Sequence, residues 1–196
     1  MIDLKIDLKK ENKDFFNTVY KDMLEQFPKT ELKSFENFMN LLSTDKYRLY
    51  SAWAENTAVG YFILFVDCEQ KTLWLDYIAV LKKYHSRGYG HKIFEKLKKY
   101  FAKDFNGIYL EVEKPDETNI NTIRRIKFYE SMNAKKLDIK YFYPNENGAL
   151  PMDLYFLPFN RDKVPQKEEI INTIQKVFCS IHSDFKGLDK ILAQIN

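Results

Sequence analysis

Residues 80–94 read Val80-Leu-Lys-Lys-Tyr-His-Ser-Arg-Gly88-Tyr-Gly90-His-Lys-Ile-Phe94. The run before this segment, residues 73–80, is apolar and rich in β-forming residues, so it predicts a strand. After Gly90, apolar residues recur at helical spacing and lysines take the opposite side, which predicts an amphipathic helix over 88–103. The segment therefore predicts a strand, a short basic loop and a helix, an order that α/β sheets use to bind ligands.

The two glycines make the start of this predicted helix accessible to an anion. The first turn of a helix has unpaired N–H groups and the positive end of the helix dipole. Gly88 and Gly90 have no side chain that would keep a phosphate away from those groups. Glycines are also ordinary turn and cap residues, and that alternative stays open at this point. A dinucleotide fingerprint is excluded because Ile93 stands where a third glycine is needed, and no Gly-Lys-Ser/Thr of a P-loop occurs.

The same segment resembles the acetyl-CoA loop of the GNAT superfamily of N-acetyltransferases, whose pattern is Arg/Gln-x-x-Gly-x-Gly/Ala. The match is His85-Ser-Arg-Gly-Tyr-Gly90, and His85 stands where Arg or Gln is usual, so a permanent positive charge is absent unless the imidazole is protonated. The resemblance implies that the loop amides bind the CoA pyrophosphate and that the preceding strand end polarises the thioester carbonyl. The predicted cofactor-binding residues are Ile78, Ala79, Val80, His85, Arg87, Gly88, Tyr89, Gly90 and His91.

A second segment, residues 119–134, resembles the later helix of this family, which ends in Tyr-x-x-x-Gly-Phe. Here the tyrosine is Tyr129, and Asn133-Ala134 replaces Gly-Phe. Asn tolerates the left-handed conformation that ends many helices, so the stop signal is kept. The resemblance implies that Tyr129 protonates the departing CoA thiolate, a role that needs a neutral phenol near the sulfur. The alternative is a half-buried helix residue, because Tyr129 lies three residues after Ile126.

The candidate base lies on the predicted strand 107–113, whose alternating pattern puts Glu111 and Glu113 on one face. A protonated amine has no lone pair with which to attack a thioester, so a carboxylate is needed to accept its proton, directly or through water. Glu111 or Glu113 is therefore predicted to be catalytic, and a solvated face paired with lysines is the alternative. Asp76, on the strand before, is a weaker candidate for binding a cationic substrate.

The resemblance implies an α/β (α+β) fold with a GNAT-like central mixed, splayed β-sheet and helices on both faces. It assigns residues 1–159 to the acetyltransferase domain and leaves 160–196 as a carboxyl-terminal helical extension. The pattern predicts strands over 2–8, 47–54, 58–67, 72–80, 107–113, 135–143 and 150–157, and helices over 11–26, 31–43, 88–103, 119–132 and 188–195, with a further helix around 170–181.

Two later segments allow more than one interpretation. Residues 143–151 contain Pro-Asn-Glu-Asn-Gly, which favours an ordinary hairpin turn, and a loop beside the acceptor is the alternative. The predicted last long helix carries an apolar stripe that some surface must cover. The stripe could pack on its own domain, pack on a second subunit or close over the acceptor pocket. The stripe consists of Ile170, Ile174, Val177, Phe178 and Ile181.

The composition narrows the range of partners. The 31 basic and 28 acidic residues give a net charge of +3, which is too balanced to predict nucleic-acid binding. Cys68 and Cys179 lie far apart, and the histidines at 85, 91 and 182 form no recognisable ligand set, so neither a metal nor a disulfide is expected. No sequence window has transmembrane length and no signal-peptide stretch is visible, so we expect a cytoplasmic protein without membrane contact.

The resemblance implies an N-acetyltransferase that moves an acetyl group from acetyl-CoA, its co-substrate, to an amine by direct attack. The acceptor is expected to be a small molecule or a peptide, and a homodimer is one assembly that the carboxyl-terminal stripe allows. The alternatives are a non-catalytic GNAT-fold module that binds CoA and an interaction protein organised around that stripe. Fold alone does not choose among them, because function resides in the site.

Overall fold

The computed structural model describes residues 5–145, 148–160 and 163–195. They form two compact units, residues 5–66 with 75–104 and residues 67–74 with 105–195. The strands are β1 (Ile6–Lys10), β2 (Tyr47–Ala54), β3 (Thr57–Asp67), β4 (Thr72–Val80), β5 (Gly107–Glu113), β6 (Lys135–Lys136), β7 (Tyr141–Asn145) and β8 (Gly148–Pro158). The helices are α1 (Lys13–Gln26), α2 (Phe35–Leu41), α3 (Tyr89–Phe101), α4 (Ile120–Ser131), α5 (Lys167–Ile181) and α6 (Leu188–Leu192).

The strands form one sheet in the order β1-β2-β3-β4-β5-β8-β6, and β7 pairs with β8. Strands and helices alternate through the middle of the chain, which is the pattern expected of an α/β protein. The predicted fold class, a mixed α/β sheet with helices, is confirmed. Within the described part of the chain, no helix combines the length and the apolar character that crossing a bilayer requires.

In the first unit, a glycine brings α3 close to the sheet. A Cβ atom added to Gly60 on β3 would lie 2.8 Å from the Ile93 side chain and 2.6 Å from the Ala79 carbonyl oxygen. Both distances are too short for any side chain, so only glycine permits this approach. Ile93 is fully buried as a result, and the start of α3 is held beside the end of β4. The packing of Gly60 therefore positions the loop between β4 and α3.

In the second unit, α5 buries the apolar stripe within this chain. All five stripe residues are at most 4% exposed. The Phe178 ring lies 5.9 Å from the Tyr141 ring, and the Thr173 hydroxyl donates to the Gln70 side chain. Burial of this stripe removes apolar surface from water and holds α5 in place. Of the three covers considered for the stripe, the first, packing within the same chain, is the one observed.

Two predicted elements differ from the structure, and part of a third is not described by it. The helix predicted over 31–43 begins only after Ser34, whose side chain caps α2 by accepting from the Asn37 N–H, and a short 3₁₀ turn precedes it. The strand predicted over 135–143 is divided into β6 and β7. Lys135 pairs with Phe156 but Tyr141 pairs with Met152, so two extra residues must leave the ladder between them. Residues 2–4 of the predicted first strand lie outside the described residues.

The predicted hairpin is present in the second unit. Asn145 of β7 pairs with Gly148 of β8 in an antiparallel ladder, and Glu146 and Asn147 lie outside the described residues. This pairing confirms the hairpin interpretation of residues 143–151. The division of the chain into a domain over 1–159 and an extension over 160–196 stays a prediction.

We expect Asp153→Asn to lower the free energy of unfolding by about 1 kcal/mol at pH 7. Asp153 is buried, and its carboxylate accepts hydrogen bonds from Lys114 (2.9 Å) and Lys136 (2.7 Å). Burial alone would raise the pKa of Asp153, but the two lysines hold it below its ordinary value. Because its pKa is lowered in the folded state, ionised Asp153 stabilises the folded protein fully at pH values above its unfolded-state pKa of about 3.9. This stabilisation is lost as the pH falls through the folded-state pKa.

The measurement is chemical denaturation of both proteins at pH 7 and near pH 3. The stability difference should be present at pH 7 and smaller near pH 3. The exposed Asp138, changed to Asn, is the control and should show no difference at either pH. An Asp153→Asn difference of the same size at both pH values would refute this account of the lysine contacts.

Candidate functional site

The loop between β4 and α3 leaves the helix start accessible from the backbone side. Gly88 is the N-cap residue of α3 and has a left-handed conformation, with φ of +79° and ψ of 3°. A side chain there would be strained, although a Cβ atom added to Gly88 would meet no atom within 4 Å. Gly88 therefore combines a conformation that suits glycine with open space in front of the first helical turn.

A cavity of about 330 Å³ lies at this helix start. His85 lines it, and its Nε2 atom lies 2.7 Å from the carbonyl oxygen of Val80. This contact ties the loop to the end of β4 and orients the imidazole. The residues that line the cavity are Val80, Tyr84, His85, Ser86, Gly88, Tyr89 and Gly90.

Two cations lie beside this cavity. The Lys83 ammonium is 4.9 Å and the Arg87 guanidinium is 5.7 Å from the centroid of the Tyr84 ring, which lines the cavity. Their charges add to the positive end of the α3 dipole, so the field at the cavity favours an anion. This arrangement suits a ligand with several phosphate charges.

The structure brings five of the nine predicted cofactor-binding residues together around the cavity, namely Val80, His85, Gly88, Tyr89 and Gly90. Arg87 lies at its edge, over the Tyr84 ring. Ile78 and Ala79 are in β4, and His91 is an exposed residue of α3; none of these three lines the cavity. Sequence reasoning did not select Tyr84 or Ser86. An aromatic residue inside a basic loop was the available signal for Tyr84, since it orders two flanking cations.

In the second unit, Glu111 is held by two aromatic donors. Trp74 Nε1 donates to Glu111 Oε2 at 3.2 Å, and the Tyr141 hydroxyl donates to Oε1. Trp74 itself is fully buried and stacks on Tyr109, with ring centroids 5.5 Å apart. The carboxylate is therefore fixed in position, because both of its oxygens accept hydrogen bonds from residues with little freedom to move.

In the second unit, the charges of Glu113 and Arg125 both act on Tyr129. Glu113 forms an ion pair with Arg125, which precedes Tyr129 by one turn of α4. Burial raises the pKa of Tyr129 to about 12, with Arg125 opposing the rise and Glu113 adding to it. Tyr129 is 7% exposed and keeps its proton throughout the physiological pH range. A neutral phenol at this position has the protonation state that a proton donor needs.

Asp76 has a different role from the one predicted for it. Its carboxylate accepts two hydrogen bonds from the Lys33 ammonium, at 2.8 and 3.0 Å, and a third from the Tyr47 hydroxyl. The side chains of Lys33 and Asp76 are 6% and 1% exposed. The charge of Asp76 is thus compensated inside the protein, and a cationic substrate would have to replace Lys33 at a large cost.

A sequence profile of the acetyltransferase (GNAT) family matches residues 12–132, more than half of the chain. The chain belongs to the GNAT acetyltransferase family. The resemblance identified from residues 85–90 and 119–134 is confirmed. Membership supports acetyl transfer in general and leaves the acceptor of this GNAT protein unspecified.

Individual relatives agree with this assignment. The chain is 28% identical to the protein named "Putative acetyltransferase YjbC" of Bacillus subtilis (strain 168). The match extends over 169 residues, which are 84% of this chain and 81% of the relative. The fold is similar to that of the structure named "Putative acetyltransferase from GNAT family from Bacteroides thetaiotaomicron", with a TM-score of 0.75, 18% identity and coverage of 88% of this chain and 96% of that chain. It is also similar to Arabidopsis thaliana NAA60, solved in complex with acetyl-CoA, with a TM-score of 0.60, 14% identity and coverage of 80% and 100%.

Proposed function

We propose that this protein transfers an acetyl group from acetyl-CoA to the nitrogen of an amine by direct attack. The observation that carries the proposal is the accessible start of α3, where a left-handed Gly88 faces a cavity flanked by Lys83 and Arg87. Family membership supports acetyl transfer, and this loop supplies the features that a multiply charged phosphate ligand requires.

The loop would hold the cofactor through its backbone. The pyrophosphate of acetyl-CoA lies against the amides from Arg87 to His91, where the helix dipole and the neighbouring cations stabilise its charge. The amides of residues 78–80 polarise the thioester carbonyl and stabilise the charge that develops on its oxygen during attack. Binding both reactants in one site removes much of the entropic cost of their encounter.

The chemical step requires a base and an acid. The acceptor amine loses a proton to a carboxylate, its nitrogen forms a bond to the thioester carbon, and the carbon–sulfur bond breaks. Tyr129 gives its phenolic proton to the departing sulfur and is later reprotonated by solvent. Either Glu111 or Glu113 is the base. The contacts favour Glu111, because Arg125 already compensates the charge of Glu113.

We expect Glu111→Gln to lower kcat/KM about tenfold at pH 7 and to flatten the rise of the rate with pH. Water can accept the proton in the variant, but it is a weaker base than a carboxylate. The measurement is the pH–rate profile, because a purely structural effect would lower the rate equally at every pH. Glu113→Gln is the matched comparison on the same strand face and should keep the shape of the profile. If only Glu113→Gln changed the profile, Glu113 would be the base.

The second candidate is a non-catalytic GNAT-fold protein that binds CoA. The observation that favours it is His85, which replaces the usual Arg or Gln and binds the Val80 carbonyl oxygen. Binding of acetyl-CoA without turnover on a broad panel of amines would support this candidate. The choice between a small-molecule and a peptide acceptor, the cytoplasmic location and the homodimer stay predictions.

A further inference from the structure

The carboxyl-terminal helix α5 contacts the strand that carries one of the two donors to Glu111. Tyr141 and Tyr143 of β7 are both buried and point to the same face of the sheet, because side chains alternate along a strand. The Tyr141 ring lies 5.9 Å from the Phe178 ring, and the Tyr143 ring lies 5.3 Å from the His182 ring. His182, the C-cap residue of α5, follows Phe178 by one helical turn. The last turn of α5 therefore packs against β7.

Polar contacts fix α5 on the turn between β3 and β4 as well. The Lys176 ammonium lies 2.6 Å from Glu69 Oε2 and 3.3 Å from Asp67 Oδ2. The Thr173 hydroxyl donates to the Gln70 side chain. The strand that carries the other donor to the carboxylate, β4, begins at the end of this turn. Helix α5 is therefore in contact with both segments of the chain that lead to those donors.

The two donors to Glu111 are side chains with little room to move. Trp74 is fully buried and Tyr141 is 2% exposed, and their ring centroids lie 6.1 Å apart. Trp74 Nε1 donates to one carboxylate oxygen at 3.2 Å, and the Tyr141 hydroxyl donates to the other. Each oxygen of a carboxylate has two lone pairs, so these bonds orient the group and still leave it able to accept a proton. A general base needs such a fixed orientation, because the proton moves over a hydrogen-bond distance.

We propose that Tyr141 is a positioning residue for Glu111, and that Phe178 of α5 holds the Tyr141 ring in the orientation that this requires. The inference rests on the acetyl transfer proposed above, with Glu111 as the base. Neither Tyr141 nor Phe178 makes or breaks a bond in the reaction. Both lie beyond residues 12–132, the part of the chain that the family profile matches. The carboxyl-terminal helix thereby becomes a part of the catalytic apparatus.

The test is a double-mutant cycle, measured by steady-state kinetics on one amine acceptor. Tyr141→Phe removes the hydroxyl and keeps the ring, so it should lower kcat/KM for the amine about fivefold and leave the affinity for acetyl-CoA unchanged. In a Glu111→Gln background the same change should cost less than about twofold, because the group on which Tyr141 acts is already absent. A general loosening of the fold would lower kcat/KM equally in both backgrounds.

Phe178→Leu tests the contribution of α5. It should lower kcat/KM in the wild-type background and have little effect in Tyr141→Phe, since its influence passes through that tyrosine. Two variants in the first unit are matched controls and should leave kcat/KM unchanged. Tyr47→Phe removes another buried phenol that donates to a carboxylate, and Phe62→Leu shortens another fully buried phenylalanine that packs on a tyrosine ring.

The NMR resonances of the tryptophan indole N–H groups give a readout that does not depend on turnover. The chain has two tryptophans. The Trp74 indole donates to the Glu111 carboxylate, whereas the Trp53 indole donates to the Ser51 hydroxyl at 2.7 Å. Tyr141→Phe should move the Trp74 resonance and leave that of Trp53 in place, because only the first indole shares its acceptor with the lost hydroxyl. Both control variants should leave the Trp74 resonance in place.

Circular dichroism checks that every variant is folded, and Tyr141→Phe, which deletes a single oxygen atom, decides the inference even if Phe178→Leu does not fold. Equal losses of kcat/KM in the two backgrounds, or a Trp74 resonance that Tyr141→Phe leaves in place, would overturn this inference and leave acetyl transfer intact. A wild-type protein that acetylates no amine would instead refute the proposed function, and the role of Tyr141 would be refuted with it.

Discussion

Replacing Tyr129 with Phe is expected to lower kcat about 100-fold and to leave the affinity for acetyl-CoA within about twofold. The variant keeps the ring that packs beside Phe128, at a centroid distance of 5.5 Å, and removes only the hydroxyl. If that hydroxyl protonates the departing thiolate, its loss raises the barrier of the chemical step and hardly changes the binding of the ground state. The measurement is steady-state kinetics on an amine acceptor, with acetyl-CoA affinity from calorimetry.

Tyr50→Phe is the matched control for this experiment. Tyr50 is also buried and also has a raised pKa, caused mainly by burial, but it lies on β2 in the first unit and stacks on Phe62. Its kcat should remain at the wild-type level. Unchanged kcat in Tyr129→Phe would remove Tyr129 from the chemistry, whereas equal losses in both variants would indicate a general effect of deleting a buried hydroxyl.

Replacing Gly88 with Trp is expected to weaken acetyl-CoA binding at least about 100-fold, because the indole would fill the space at the helix start that the phosphates are proposed to occupy. The left-handed φ of +79° adds strain of about 1–2 kcal/mol, so the variant should also melt at a lower temperature than the wild type. Calorimetric titration with acetyl-CoA gives the affinity, and circular dichroism confirms that the variant is folded at the temperature of the titration.

Gly187→Trp separates the effect of strain from the effect on the site. Gly187 is likewise a left-handed N-cap glycine, with φ of +94° and no atom within 4 Å of an added Cβ, but it precedes α6 in the second unit. The two substitutions therefore introduce a similar backbone strain at different positions in the chain. Gly187→Trp should bind acetyl-CoA normally, and wild-type affinity in Gly88→Trp would reject the loop as the phosphate site.

The sequence predicted best those elements whose signals are local. The bounds of β2, β4 and β5 agree with the predicted strands at every residue, because each has a continuous or alternating apolar pattern with clear polar ends. The loop at Gly88 was also predictable, since the glycine spacing, the preceding strand and the following amphipathic pattern all indicate the same local structure.

Features that depend on distant residues could not be predicted in this way. No local pattern indicates that Trp74 and Tyr141 bind the Glu111 carboxylate, or that Lys33 compensates Asp76, because each pair is separated by at least 30 residues. The two-residue shift between β6 and β7 results from their separate pairing with β8. A cavity lined by Thr72, Tyr109 and Glu169 was missed for the same reason, since these residues come together only after folding.

The most direct test of acetyl transfer is mass spectrometry of a panel of small amines and peptides with free amines, each incubated with acetyl-CoA and the protein. The account predicts an acetylated product from at least one acceptor with the wild-type protein and with Gly187→Trp, and a much lower yield with Gly88→Trp. Tight binding of acetyl-CoA by the wild-type protein, with no acetylated product from any amine in the panel, would contradict the proposed acetyltransferase activity. That result would favour the non-catalytic, CoA-binding alternative.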